Sequence, residues 1–249
     1  MTSATRANAV ALRVFRQLIH DRRFLGLSLI APLAVIYITK AALDSFNVPF
    51  VNASQFAVPI GAFIVHFITY VLCALVLVRE RTAQTLARMF INGYRRVEII
   101  SGYMLAYMIL ATVQALLVLT ELSFLFKLKY SMSVLLSIYL VIWLLAVISI
   151  LLGIFISNFA RNEGQVLPFI PLVTVPGIFL SDVIFSVDRF PQWMQWLSHA
   201  TPLFYANKVL QRLIAPGGSL EGQWLRVGTL VVYGVVILFL ATRTLREMD

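Results

Sequence analysis

Few side chains in this 249-residue sequence could do proton, nucleophile or metal chemistry, and they stand far apart. The histidines His20, His66 and His199 fall in separate segments, and the one cysteine, Cys73, lies inside an apolar run. A metal centre needs three or four such ligands at close spacing, so none is expected, and a lone cysteine makes no disulfide within one chain. The patterns H-E-x-x-H, H-x-E with C-x-x-C, and G-x-S-x-G do not occur, nor does G-x-x-x-x-G-K-[ST] or a G-x-G-x-x-G after a strand. No catalytic residue, cofactor-binding residue or metal ligand is therefore expected, and the chain does not hydrolyse ATP by itself.

Two groups of polar residues remain of interest. Glu121 and His66 are ionisable groups inside apolar runs, where a buried charge costs about 3 kcal/mol on insertion scales. Glu121 could face a substrate or relay charge, or it could sit high enough to meet water or Lys127. His66 has no acid at helical spacing, which favours a packed interhelical hydrogen bond. Asp182 ends a run broken by Pro168, Pro171, Pro176 and Gly177, where the backbone is expected to be wet already. The second group is the stretch R-E-R-T-A-Q-T-L-A-R-M-F-I-N-G-Y-R-R-V-E-I-I-S-G-Y-M-L-A-Y, Arg79 to Tyr107, the only strongly charged interior segment. Five of the twenty Lys and Arg residues lie between Arg79 and Arg96, alternating with hydrophobic residues. As a helix, residues 81 to 91 put Leu86, Met89 and Phe90 on one face and Arg81, Gln84 and Arg88 elsewhere. Gly93 then allows a turn.

The elements that must position these residues follow from composition. The chain is 60% hydrophobic and 12% charged, with a mean hydropathy of +0.89. That much apolar surface exceeds what a soluble core can hide, so the class is an all-α polytopic membrane protein. The net charge of +9 resides in short flanks of long apolar runs, which points to topology signals and lipid headgroups and away from nucleic acid. Residues 5 to 20 form an amphipathic interfacial helix, with Phe15 on its apolar face and Arg13 and Arg16 on its polar one. The stretch is too long and too amphipathic for a simple cleaved signal peptide. Six spans are expected at 24–43, 55–78, 102–126, 132–157, 165–185 and 227–242, forming a single transmembrane domain over 1–249. A short loop with one acid joins the first two spans, 79–101 is a cytoplasmic segment, and 188–214 forms two short helices broken at Pro202. Trp193, Trp196, Phe204 and Tyr205 suit the membrane interface. With both termini in the cytoplasm, thirteen basic residues lie inside, including Arg243 and Arg246 of a basic tail, against seven outside.

Two motifs in the right order make the chain resemble the ABC type-2 transporter permeases of drug, polysaccharide, lipid and nodulation-factor export. The first, similar to R-E-R-x-x-G-T-L-E-x-L-x-x-x-P-x-x-R-x-E-x-x-x-G-K, is met at Arg79, Glu80, Arg81, Thr85, Leu86, Arg96, Glu98 and Gly102. It departs at Gln84 for Gly, Ala87 for Glu, Gly93 for Pro and Tyr103 for Lys. The second is met at Phe179, Leu180, Ser181, Phe185, Pro191, Trp193, Gln195, Pro202, Leu203, Tyr205 and Ala206, with Asp182 replacing Gly and Ser186 replacing Pro. The resemblance implies the permease subunit of an ABC exporter in a bacterial inner (plasma) membrane, carrying an amphipathic, lipid-like, drug or glycan substrate. It implies a coupling helix around Gln84 to Phe90 that docks on a separate ATPase subunit, with Arg81, Gln84, Thr85, Leu86, Arg88, Met89, Phe90 and Arg96 as the docking residues. ATP and Mg would belong to that partner. A second permease half, identical or different, would complete the complex in the lipid. The 188–214 helices would be external or re-entrant, and Glu121, His66, Asp182 and Pro176 are candidates for the path or gate. The alternative reading is an ion-coupled carrier or channel acting without an ATPase.

Overall fold

A computed structural model describes residues 2–46 and 53–245, and all the regular structure among them is helical. In chain order the helices are α1 (Ser3–His20), α2 (Arg22–Phe46), α3 (Ala53–Thr82), α4 (Thr85–Ile91), α5 (Arg96–Leu125) and α6 (Met132–Ser157). There follow α7 (Glu163–Val166), α8 (Phe169–Phe179), α9 (Gln192–Ser198), α10 (Pro202–Ile214) and α11 (Trp224–Thr244). Residues 47–52 of the expected first loop, and Arg246 of the basic tail, lie outside the described residues.

Five helices among the described residues, namely α2, α3, α5, α6 and α11, are long and apolar enough to cross a membrane. The run 165–185 behaves differently from an unbroken span. Asn162 caps α7 by accepting from the Gln165 amide, and the chain restarts after Pro168 as the 11-residue α8, with Pro176 inside it. At 1.5 Å per residue α8 covers about 16 Å, short of a hydrocarbon core of about 30 Å. Proline explains the interruption, since it removes an amide donor and crowds the preceding turn. The 79–101 segment is likewise divided. Arg79 to Thr82 continue α3, α4 stands alone, and Arg96 already begins α5.

The helix α6 is apolar all round and mostly buried, and so is α3; α2 and α11 expose most of their surface. A helix without a polar face belongs at the centre of a bundle. The two central helices cross with almost no gap at Gly153, where a Cβ would stand 2.7 Å from the Tyr70 carbonyl oxygen and 2.8 Å from the Ala74 nitrogen. Small residues permit such backbone approach between helices in lipid. A second close contact fixes α1. Its buried Ala7, Val10, Val14 and Leu18 face the bundle, and a Cβ on Gly102 of α5 would lie 2.6 Å from the Val10 Cβ and 2.9 Å from the Ala7 carbonyl.

The helix α10 packs into the bundle against α3, α6 and α11, and α9 stays at its surface. Ala200 to Leu203, the turn between α9 and α10, share a cavity with His66 near the middle of α3, whereas Gln211 and Ile214 near the end of α10 adjoin Phe56 and Pro59 at the start of α3. Trp193 and Trp196 of α9 are exposed, as interface aromatics should be. At the opposite end, Asn158 after α6 donates to the Ala241 carbonyl and the Thr244 hydroxyl, both at 2.9 Å, so α11 finishes at the end of the bundle where α1 packs.

Replacing Gly153 with Ala should destabilise the whole bundle by about 1–3 kcal/mol, because the obstructing atoms are backbone and cannot swing away. Gly102→Ala should instead loosen α1 locally, giving faster tryptic cleavage at Arg13 and Arg16 with a smaller fall in Tm in detergent.

Candidate functional site

The last turn of α3 carries Arg79, Glu80 and Arg81, and each reaches a different neighbour. Arg79 Nε donates to Glu163 Oε1 of α7 at 3.0 Å. Glu80 Oε2 accepts from Arg13 Nη2 of α1 at 2.6 Å and also from the Thr85 hydroxyl, while Arg13 Nη1 lies 3.4 Å from the Met89 sulfur. Arg81 Nη1 donates to the carbonyls of Ser157 and Ala160 at 2.6 and 2.7 Å. These carbonyls belong to the end of α6 and the turn beyond it, and the guanidinium supplies donors they need where a helix stops. Arg81 and Thr85, which the resemblance names among the docking residues, are thus bonded to the chain's own elements, as is Arg13 of the polar face of α1.

Between α3 and α4 the backbone breaks at Gln84, whose φ of 57° lies in the left-handed region. A side chain there costs about 1–2 kcal/mol, which accounts for glycine in the motif this stretch resembles. Asp182, the other site where such a glycine is replaced, is also left-handed, at φ 64°. The helix α4 that follows has two faces. Leu86 and Met89 are buried against the bundle and Phe90 is half-buried, so the apolar face expected to dock is largely covered by the chain itself. The outward face consists of Gln84, Arg88 and Ile91, continued by Arg95, Arg96 and Val97 at the start of α5. Ile91 is 82% exposed. This rim is held in place from α1, where Arg6 Nη1 donates to the Gly93 carbonyl at 2.6 Å and stacks over the Tyr94 ring. Glu98 closes the start of α5 by accepting from the Arg95 amide at 2.9 Å. Arg16 is exposed and Phe15 half-buried on α1.

A second feature lies halfway along α3. His66, Pro176, Tyr233 and the Ala200–Leu203 turn line a cavity of about 230 Å³. Among the described residues the structure thus brings His66 and Pro176 together and leaves Glu121 and Asp182 elsewhere. Pro176 cannot donate to the Leu172 carbonyl, and both residues line this cavity, as expected where a broken helix meets open space. His66 Nδ1 lies 2.7 Å from the Ser149 hydroxyl, which itself donates to the Leu145 carbonyl at 2.6 Å. Because Ser149 has only one proton to give, Nδ1 is the donor in a neutral imidazole and Nε2 remains an acceptor. Tyr233 ties α11 to the turn by donating to the Ala200 carbonyl at 3.0 Å.

Asp182, after the end of α8, lines an open cavity of about 420 Å³ with Gln211 and Phe56. Its carboxylate is enclosed, pairs with Lys208 of α10 at 2.8 Å and accepts from the Val187 amide at 2.8 Å. Asn207 and Gln211 add donations to the Ser181 and Asp182 carbonyls, so the end of α8 is fastened to α10. Glu121 is half-buried, and no ion pair to Lys127 forms among the described residues. Sequence reasoning missed Arg6, Ser149, Thr201 and Tyr233. Ser149 lies 83 residues from His66 with no local signal of the pairing, whereas Arg6 was visible as one more base on the polar face of α1.

Charge reversal tests the α1 clamp. Glu80→Arg and Arg13→Glu should each cost about 1–3 kcal/mol in unfolding free energy, and the double mutant should recover a measurable part, giving a non-zero coupling energy. Gln84→Gly should be neutral or stabilising, while the β-branched Gln84→Val should lower Tm.

The chain is similar to known proteins over most of this architecture. The family described as ABC-2 type transporter matches residues 5–214, from the first turn of α1 to the end of α10. ABC transporter G family member 20 of Dictyostelium discoideum is 25% identical over 174 residues, covering 69% of this chain and 24% of that protein. The probable multidrug ABC transporter permease YbhR of Escherichia coli (strain K12) is 24% identical over 163 residues, 65% of this chain and 44% of its own length. Nodulation protein J of Rhizobium meliloti (strain 1021) is 31% identical over 96 residues, 39% of this chain and 36% of that protein. The chain thus spans less than half the length of each of these relatives.

Proposed function

The chain belongs to the ABC-2 type transporter family, a multi-pass membrane component of ABC exporters, and on that premise we propose that its inner rim receives the stroke of a separate ATPase subunit. The observation that carries this reading is the outward face of α4 and the start of α5. An exposed isoleucine and valine, Ile91 and Val97, stand among Gln84, Arg88, Arg95 and Arg96 on a rim clamped to α1, α6 and α7. An apolar anchor inside a ring of charge is the composition of a protein-docking patch. The rim is rigidly joined to what lies behind it, so a push on α4 displaces α1 through Glu80 and Arg13, and α6 through Arg81. Docking passes from Leu86 and Met89 to the exposed set, with Arg81 and Thr85 acting as its supports. ATP and Mg are bound by the partner.

The translocation path runs past the His66 cavity. Its lining is mostly apolar, with His66 Nε2 as an acceptor and the α9–α10 turn as one wall, which suits an amphipathic, lipid-like, drug or glycan cargo. The names of the relatives, multidrug permease and nodulation protein, fall within that range. Two permease halves, identical or different, face each other across the path in a bacterial inner membrane. The thirteen-to-seven basic count, with α1 and the end of α11 at one end of the bundle, supports cytoplasmic termini. The ion-coupled carrier is less well supported, because Glu121 does not line the cavity that His66 lines.

Paired substitutions on α4 check the assignment of faces. Ile91→Asp should leave insertion and Tm unchanged and weaken ATPase co-purification about tenfold, the equivalent of 1.4 kcal/mol. Leu86→Asp should lower Tm of the subunit alone. Normal ATPase binding and export in Ile91→Asp would remove the docking assignment.

A further inference from the structure

The cavity of about 230 Å³ beside His66 is lined by no Asp, Glu, Lys or Arg, so its chemistry rests on neutral groups whose uncommitted donors and acceptors can be followed one by one. His66 is 2% exposed, and its Nδ1 hydrogen is spent on Ser149. Nε2 is left with a lone pair and no partner among the described residues. It is not sealed in, as the unpaired Tyr103 hydroxyl and Gln114 amide are, and the space that the ring lines is this cavity.

The other polar groups of the lining fix what Nε2 can meet. Tyr233 and Thr201 give their hydroxyl hydrogens to the Ala200 and Ser198 carbonyls at 3.0 and 2.8 Å, and keep only lone pairs. Donor capacity comes from the start of α10. Pro202 opens that helix without an amide hydrogen and Thr201 makes no side-chain cap, so the Leu203 amide is one of the N–H groups that a helix start leaves unbonded. Leu203 lines the cavity as well.

A carboxylate or a ketone only accepts, and leaves Nε2 unserved. An ammonium only donates, and brings a charge into a lining that offers no counter-ion. A hydroxyl does both: its O–H donates to Nε2 while its oxygen accepts from an amide. Around these groups Leu152, Leu172 and Val173 supply an apolar wall. A dry cavity of about 150 Å³ holds one benzene ring, so this one has room for a fused pair of rings. Gly177 faces open space, since a Cβ there would meet nothing within 4 Å.

We propose that the His66 cavity selects uncharged molecules that join one hydroxyl to a compact apolar body, of the aryl alcohol or phenol class, and that His66 Nε2 reads the hydroxyl. That such molecules are cargo rests on the path reading; that they bind does not.

The test uses the full chain in nanodiscs, with protein-free discs as the blank. The probe is β-naphthol, compared with β-methylnaphthalene, which keeps the shape without the hydroxyl, and with β-naphthoate. The naphthol should bind saturably and the other two at least about tenfold more weakly. His66→Phe should bring the naphthol down to the level of β-methylnaphthalene with insertion retained. Gly177→Leu, which fills the space from a position with room for a side chain, should abolish binding of both with Tm unchanged. Equal binding of β-methylnaphthalene, preference for β-naphthoate, no saturable binding, or naphthol binding undiminished in either variant would overturn the proposal. Chain-dependent efflux of naphthol from cells that persists in Gly177→Leu, once that variant has lost binding, would remove the path reading and leave the site in place.

Discussion

Three consecutive charges on the last turn of α3 hold together the end of the bundle where α1 packs. Successive side chains on a helix project about 100° apart, so Arg79, Glu80 and Arg81 cannot serve one partner. They serve three: Glu163 on α7, Arg13 on α1, and the carbonyls at the end of α6. The more buried contacts of Glu80 and Arg81 are charge-assisted hydrogen bonds of about 1.5–3 kcal/mol, while the exposed Arg79–Glu163 pair contributes about 0–1 kcal/mol. The position of α1, the break before α4 and the end of α6 all depend on that turn.

This arrangement gives the charged segment two faces with separate duties. Its inward residues, including Leu86 and Met89, belong to the core, and its outward residues are exposed. The left-handed Gln84 makes the division possible by turning the chain between α3 and α4 within two residues. The same economy appears at the other end, where Asp182, left-handed as well, anchors the end of α8 to Lys208 and so keeps the α9–α10 hairpin seated over His66.

Small residues set the spacing that these polar contacts require. Gly153 brings α3 and α6 into backbone contact, and their closeness puts His66 within hydrogen-bonding distance of Ser149. Gly102 does the same for α1 and α5. In lipid, helices gain little from burying apolar surface against each other, so close packing and interhelical hydrogen bonds must supply the adhesion.

Hydropathy alone determined that the chain is helical and multi-pass, because a run such as Met132–Ser157 has one way to satisfy its backbone in hydrocarbon. The break at Pro202 and the interruption near Pro168 were also legible, since proline acts through local geometry. The basic segment announced itself by charge. Its orientation did not, for the period of 3.6 tells which residues share a face but not whether that face meets the bundle or the solvent. That was decided by tertiary contacts with elements such as α1, seventy residues earlier in the chain, whose Arg13 meets the Met89 sulfur and takes Glu80 for its partner. The pairing of His66 with Ser149, and the gathering of Pro176 and Tyr233 around them, arise from contacts between distant segments. Such contacts leave no periodic trace in the sequence, and only the packing of the helices could bring them about.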